Sequence, residues 1–102
     1  MSRRFKSIIK SERPVLVDFY ADWCQPCKAI PPILKEVKST FKESIRIVKV
    51  NVDNNPFIAS HYQVKSIPTL ILFKEGNVQW IAEGVVDPNE LSSVITRYIN
   101  KN

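Results

Sequence analysis

Glycine is scarce in this chain: Gly76 and Gly84 are the only two in 102 residues. No repeat, linker or low-complexity stretch is present, so the length fits one domain over residues 1–102. No apolar run approaches the roughly 20 residues that cross a bilayer, which argues against a membrane partner. The first 20 residues lack a secretory leader, because Phe5-Lys6-Ser7-Ile8-Ile9-Lys10 after Arg3-Arg4 is too short and too charged. A cytoplasmic protein is the expectation. The net charge is +5, but Arg3-Arg4 is the only adjacent basic pair. Nucleic-acid proteins gather their charge into a patch or stripe, so this charge reads as solubility and no nucleic-acid partner is expected. Histidine occurs once, as His61, which leaves too few ligands for a four-coordinate zinc site.

Cysteine is equally sparse, and its placement is the strongest signal. The two cysteines stand in Trp23-Cys24-Gln25-Pro26-Cys27. A chain that is 44% hydrophobic can build a core without a staple. A bridge across so short a loop would also constrain the unfolded chain very little. In a cytoplasmic setting such a pair points to redox chemistry. It follows the apolar run of residues 15–21 and opens a segment with helical periodicity. Cys24 at that junction lies at the positive end of a helix, which favours the thiolate, and it is expected to be the more exposed of the two cysteines. The spacing puts both sulfurs on one helix face, within bonding reach.

The rest of the chain reads as alternating elements. Residues 3–11 predict an amphipathic helix with Phe5, Ile8 and Ile9 on one face, ended by Pro14. Residues 15–21 predict a strand buried on both sides. Residues 24–43 predict a helix carrying Ile30, Leu34, Val37 and Phe41. Pro31 and Pro32 remove the donors for the Cys27 and Lys28 carbonyls, which predicts a kink. A strand over 45–52 follows, then a short helix with Asn55 as N-cap and Pro56 at its first position. Strands over 69–74 and 78–83 flank a turn at Glu75-Gly76-Asn77. Asp87-Pro88-Asn89-Glu90 opens a last helix with Leu91, Val94, Ile95, Tyr98 and Ile99 on one face. The order α-β-α-β-α-β-β-α predicts an α/β fold: a mixed four-stranded sheet with helices on both faces.

Asp18 stands out within the first strand. A carboxylate in a buried apolar run is costly, and desolvation raises its pKa toward neutrality. It reads equally as a proton acceptor for a cysteine or as the partner of a structural ion pair with Lys49. Pro26 suits a first helical turn, where a missing donor costs nothing. Pro68 precedes a strand, and base rates alone favour a trans bond there. Tyr20 reads as packing, His61 as a helix residue, and Trp80 carries no assigned role.

The motif in its context resembles the thioredoxin family, and the likeness spans nearly the whole chain. It rests on Val17-Asp18-Phe19-Tyr20-Ala21-Asp22-Trp23-Cys24-Gln25-Pro26-Cys27-Lys28, on Ile67-Pro68-Thr69, on Gly84 and on Lys49. The resemblance implies a thioredoxin-like fold and a general protein disulfide reductase that needs no bound cofactor. Cys24 would be the nucleophile, Cys27 the resolving thiol, and Asp18, tuned by Lys49, the proton acceptor. A cis bond before Pro68 would set that loop against the sulfurs. Trp23, Gln25, Pro26, Ile67, Pro68, Gly84 and Val85 would form the surface that receives a substrate. The implied partners are disulfide-containing client proteins and an NADPH-dependent flavoprotein, thioredoxin reductase. A monomer is the simplest expectation for a protein serving many clients.

Three departures from the family pattern stand out. Gln25 replaces the usual glycine, which leaves the redox potential open. The usual first strand is missing or reduced, giving four strands instead of five. Gln63 and Ser66 stand where glycine is common, which predicts a stiffer loop. Two other readings keep the same sequence: an oxidant or isomerase of the same fold, and a binding module that uses the groove without redox chemistry. The missing leader and Pro26 argue against the first; retained biological activity in a cysteine-free variant would favour the second.

Overall fold

In the computed structural model, which describes residues 2–99, the apolar run after Pro14 forms β1 (Val15–Tyr20). It is central because it is paired on both sides. β2 (Arg46–Asn51) runs parallel to it and β3 (Thr69–Lys74) antiparallel. β4 (Asn77–Glu83) extends the sheet beside β3, giving the order β2-β1-β3-β4. The mixed four-stranded sheet expected from the sequence is the sheet observed. The parallel pair needs a crossover, which α2 (Ile30–Phe41) provides.

Side chains alternate across each strand with period two. Leu16, Leu70 and Leu72 point to one face, where they pack with Ile30, Leu34 and Val37 of α2. Leu91, Val94 and Ile95 of α4 (Pro88–Ile99) complete that cluster. Val15, Val17, Phe19, Ile71 and Phe73 point to the other face. Phe5 and Ile9 of α1 (Arg3–Ile9) and Ile58 of α3 (Pro56–His61) cover them. Asp18 shares its alternation with Leu16, so its carboxyl lies on the α2 side.

The element boundaries depart from the sequence reading in instructive ways. α1 ends at Ile9, well before Pro14, because the hairpin captures its last carbonyl: the Gly76 N–H donates to Ile9 O at 2.8 Å. Asn55 occupies the N-cap position of α3, but its side chain makes no capping bond and donates instead to Asn51 O at 3.0 Å. At α4 the expected cap is made, with Asn89 N–H donating to Asp87 Oδ1 at 2.8 Å. The hairpin turns through Glu75 and Gly76, both at positive φ (55° and 85°). That is the twist two-residue hairpins favour.

The helix expected over 24–43 is divided, not merely kinked. Pro26–Ala29 form a 3-10 turn, and the α-helix begins only at Ile30. Pro31 cannot donate to the Cys27 carbonyl, so Ile30 N–H does, one residue earlier. Pro31 and Pro32 then fall in the first turn of α2, where their missing donors leave no bond unmade.

Candidate active site

The carboxyl end of β1, the loop after it and the 3-10 turn bring Cys24 and Cys27 together as a disulfide, with their Cα atoms 5.3 Å apart. Ala21 packs against both sulfurs, and Tyr20, Val52 and Ile67 flank them. The sequence reading takes Cys24 as the more exposed of the two. In the folded chain both are buried, Cys24 at 3% and Cys27 at 6% exposure. The exposed groups are the rim around them: Trp23, Gln25 and Pro26.

The two sulfurs nevertheless see different surroundings. Cys27 N–H donates to Cys24 Sγ at 3.2 Å. A backbone N–H aimed at sulfur is the kind of donor that favours negative charge there. Cys24 Sγ also lies 3.8 Å from Ile67 O. Cys27, and not Cys24, lines a cavity of about 150 Å³. Asp18, Tyr20, Asp22, Lys28, Pro31 and Lys49 also line it.

Asp18 is 1% exposed, and its Oδ1 has no hydrogen-bond partner among the described residues. Burial pushes its pKa from 3.8 up to about 6, and the Lys49 charge pulls in the opposite direction. Lys49 sits opposite Asp18 in the β1–β2 register. Instead of pairing directly with the carboxylate, its ammonium lies over the Tyr20 ring, 4.7 Å from the centroid. That contact holds the lysine in place by cation–π attraction. Tyr20, read from the sequence as packing alone, therefore also positions a charge.

The Ile67–Pro68 peptide is cis, as the family resemblance implied and base rates did not. Gly84 N–H donates to Pro68 O at 2.9 Å, which ties the end of β4 to the proline loop. Gly84 has φ of +87°, a region where only glycine is unstrained. Val85 beside it is 52% exposed. Trp23 and Ile67 line a second cavity of about 130 Å³ with Val52, Val64, Lys65 and Ser66. The fold thus gathers the expected surface residues at one end of the sheet. Sequence reading missed Asp53, whose Oδ2 accepts the Trp23 indole N–H at 2.9 Å. Nothing local marks that bond, since it spans 30 residues. Asp22, Lys28 and Pro31 at the Cys27 cavity were also unassigned.

A mixed sheet whose strand ends carry a reversible Cys-x-x-Cys disulfide, beside a buried carboxyl and a cis-proline loop, defines a protein-disulfide oxidoreductase of thioredoxin-like fold. Known proteins agree. The thioredoxin family model matches residues 1–97. Thioredoxin of Pyropia yezoensis is 41% identical over 95 residues, covering 93% of this chain and 89% of its own. Thioredoxin of Rickettsia felis is 42% identical over 94 residues, covering 92% and 90%. Mitochondrial thioredoxin 3 of Saccharomyces cerevisiae, solved in its oxidised form, superposes with a TM-score of 0.83 at 34% identity. That match covers 92% of this chain and 87% of that one. The chain belongs to the thioredoxin family. Its activity is reduction of client-protein disulfides by the Cys24–Cys27 couple.

Proposed function

We propose that the two cysteines divide the reaction according to their surroundings. Cys24 attacks first. Its thiolate, held by the Cys27 N–H, displaces one sulfur of a client disulfide and forms a mixed disulfide. The displaced client thiolate takes a proton from solvent. Cys27 then gives its proton to Asp18 across the shared cavity and attacks Cys24 Sγ. The second client sulfur leaves as thiolate. The client gains two electrons and the Cys24–Cys27 pair loses them as its disulfide forms. An acceptor of pKa near 6 takes a proton at neutral pH and returns it readily. Lys49 keeps that pKa from rising further.

Trp23, Gln25, Pro26, Ile67, Pro68, Gly84 and Val85 form the receiving surface. Backbone groups beside Pro68 pair with an extended client segment in the manner of strand addition. NADPH-dependent thioredoxin reductase regenerates the dithiol. The protein works as a single thioredoxin domain and a monomer in the cytoplasm, without nucleic acid or membrane. Among the described residues no helix is long and apolar enough to cross a membrane. The observation that carries the division of roles is the Cys27 N–H aimed at Cys24 Sγ, while Cys27 itself shares a cavity with Asp18.

Trapping tests it. The Cys27→Ser variant should accumulate a mixed disulfide through Cys24, seen by mass spectrometry after acid quench. Trapping only through Cys27 in the Cys24→Ser variant would reverse the assignment.

A further inference from the structure

Phe57 has no role in the fold. It lies in the first turn of α3 and is 81% exposed, the most exposed large apolar side chain among the described residues. Its neighbours Ile58 and Ala59 supply the buried face of that helix. Phenylalanine is a mediocre helix former, so a polar residue would serve the helix equally well. An exposed ring of this size is open to contact with a partner.

Its position says by what. α3 follows the carboxyl end of β2, which runs parallel to β1, so Phe57 lies at the end of the sheet that carries the cysteines. Asp53 holds the Trp23 indole at 2.9 Å. Phe57 is four steps along the chain from Asp53, a reach of at most about 14 Å. The Asn55 N–H bond back to Asn51 O, at 3.0 Å, shortens it by folding the chain into a turn. A standard protein interface covers about 800 Å² on each partner, a disc of about 16 Å radius. A client that covers Cys24, Trp23 and the Asp53 that holds it, and extends over the start of α3, therefore reaches Phe57. Asp53, Asn54, Asn55 and Ser60 around it include a single charge, so little charge is desolvated when that surface is covered. Of the other exposed apolar residues, Trp23 and Val85 already belong to the rim, and Ile81 lines a cavity of about 190 Å³ with Tyr62, Gln63 and Val64. Val78 sits at the far end of β4, six residues from Gly84, about 20 Å along an extended strand.

We propose that Phe57 is a specificity-determining residue for the disulfide reduction, extending the client surface beyond Trp23 by packing against an apolar side chain of the client. The inference rests on the reading that clients dock around Cys24. It makes this chain favour clients with an apolar residue near, but not adjacent to, the attacked cysteine. A small disulfide cannot span that distance, so it gains nothing from the ring.

The test compares wild type, Phe57→Ser, Phe57→Leu and Val78→Ser in their dithiol forms. Each reduces insulin, a protein disulfide, and bis(2-hydroxyethyl) disulfide, a small one. Phe57→Ser should lose about three- to tenfold in kcat/KM on insulin, mainly through KM, and keep the wild-type rate on the small disulfide. Phe57→Leu should recover most of the loss, and Val78→Ser should match wild type on both. Equal insulin rates for wild type and Phe57→Ser would overturn the proposal. So would an equal fall on both substrates, since the ring would then act on the dithiol. A wild type unable to reduce insulin would instead fail the underlying reading of function, and this inference with it.

Discussion

Replacing Asp18 by asparagine should stabilise the protein, and only above a definite pH. The carboxyl is buried in β1 with one oxygen unpartnered, and its pKa is raised from 3.8 to about 6 by desolvation. The unfolded chain gives up this proton near pH 4, while the folded chain keeps it to about pH 6. Between those values the folded state holds more protons, so stability falls as pH rises. Below that window both states are protonated and the residue contributes no pH dependence. Above it, the folded state carries the full cost of a buried charge. A shift of about two units corresponds to about 3 kcal/mol. The carboxamide of the variant has nearly the shape of the neutral acid and cannot ionise. Urea unfolding of both oxidised proteins between pH 3.5 and 8 measures the difference directly. Wild type and Asp18→Asn should converge at the acid end, and the variant should gain about 2–3 kcal/mol by pH 8. A difference independent of pH, or one that grows toward acid, would refute the assignment of the raised pKa to this carboxyl.

Two further outcomes follow from the same geometry. Lys49→Met removes the charge that opposes desolvation at Asp18, so the carboxyl should titrate above about 6, and the pH midpoint of mixed-disulfide resolution should move up with it. Stopped-flow quenching across pH reads this, and an unchanged or lower midpoint contradicts it. Gln63 ends α3 at φ of +56°, with Val64 N–H donating to Ala59 O and Gln63 N–H to Ser60 O. This is a Schellman end with glutamine where glycine is favoured. Gln63→Gly should therefore raise stability by up to about 1 kcal/mol, or a few degrees in Tm, and a lower Tm would contradict the strain.

Much of this architecture is legible in the sequence because local and global signals agree. The nearly continuous apolar run at Val15–Tyr20 reads as a strand covered on both faces, and Asp18 is conspicuous within it for that reason. Leu91, Val94 and Ile95 announce their helix by spacing, and Asp87 marks its start. The failures lie where partners are distant in sequence. Nothing near Trp23 announces Asp53, and nothing near Lys49 announces the Tyr20 ring. The exposure order of the cysteines is misread because Ala21, Val52 and Ile67 close over both sulfurs from separate segments. The proline pair does disrupt a helix, as its sequence requires. Its consequence, a 3-10 turn carrying Cys27, depends on which donor replaces the lost one. The cis bond at Pro68 is legible only through family likeness, since an X-Pro pair does not declare its isomer. At Gln63, where glycine is common, the loop holds a left-handed residue flanked by two hydrogen bonds.

The most direct test of a disulfide reductase is the reduction potential of the Cys24–Cys27 couple, measured by equilibration with a defined thiol–disulfide buffer. The account predicts a strongly reducing value, near the about −270 mV known for thioredoxin and well below the glutaredoxin range. That result would also show that Gln25 between the cysteines leaves the direction of electron flow unchanged. A value of about −180 mV or higher, in the range of disulfide isomerases and oxidants, would contradict it and reopen the compartment in which the protein works.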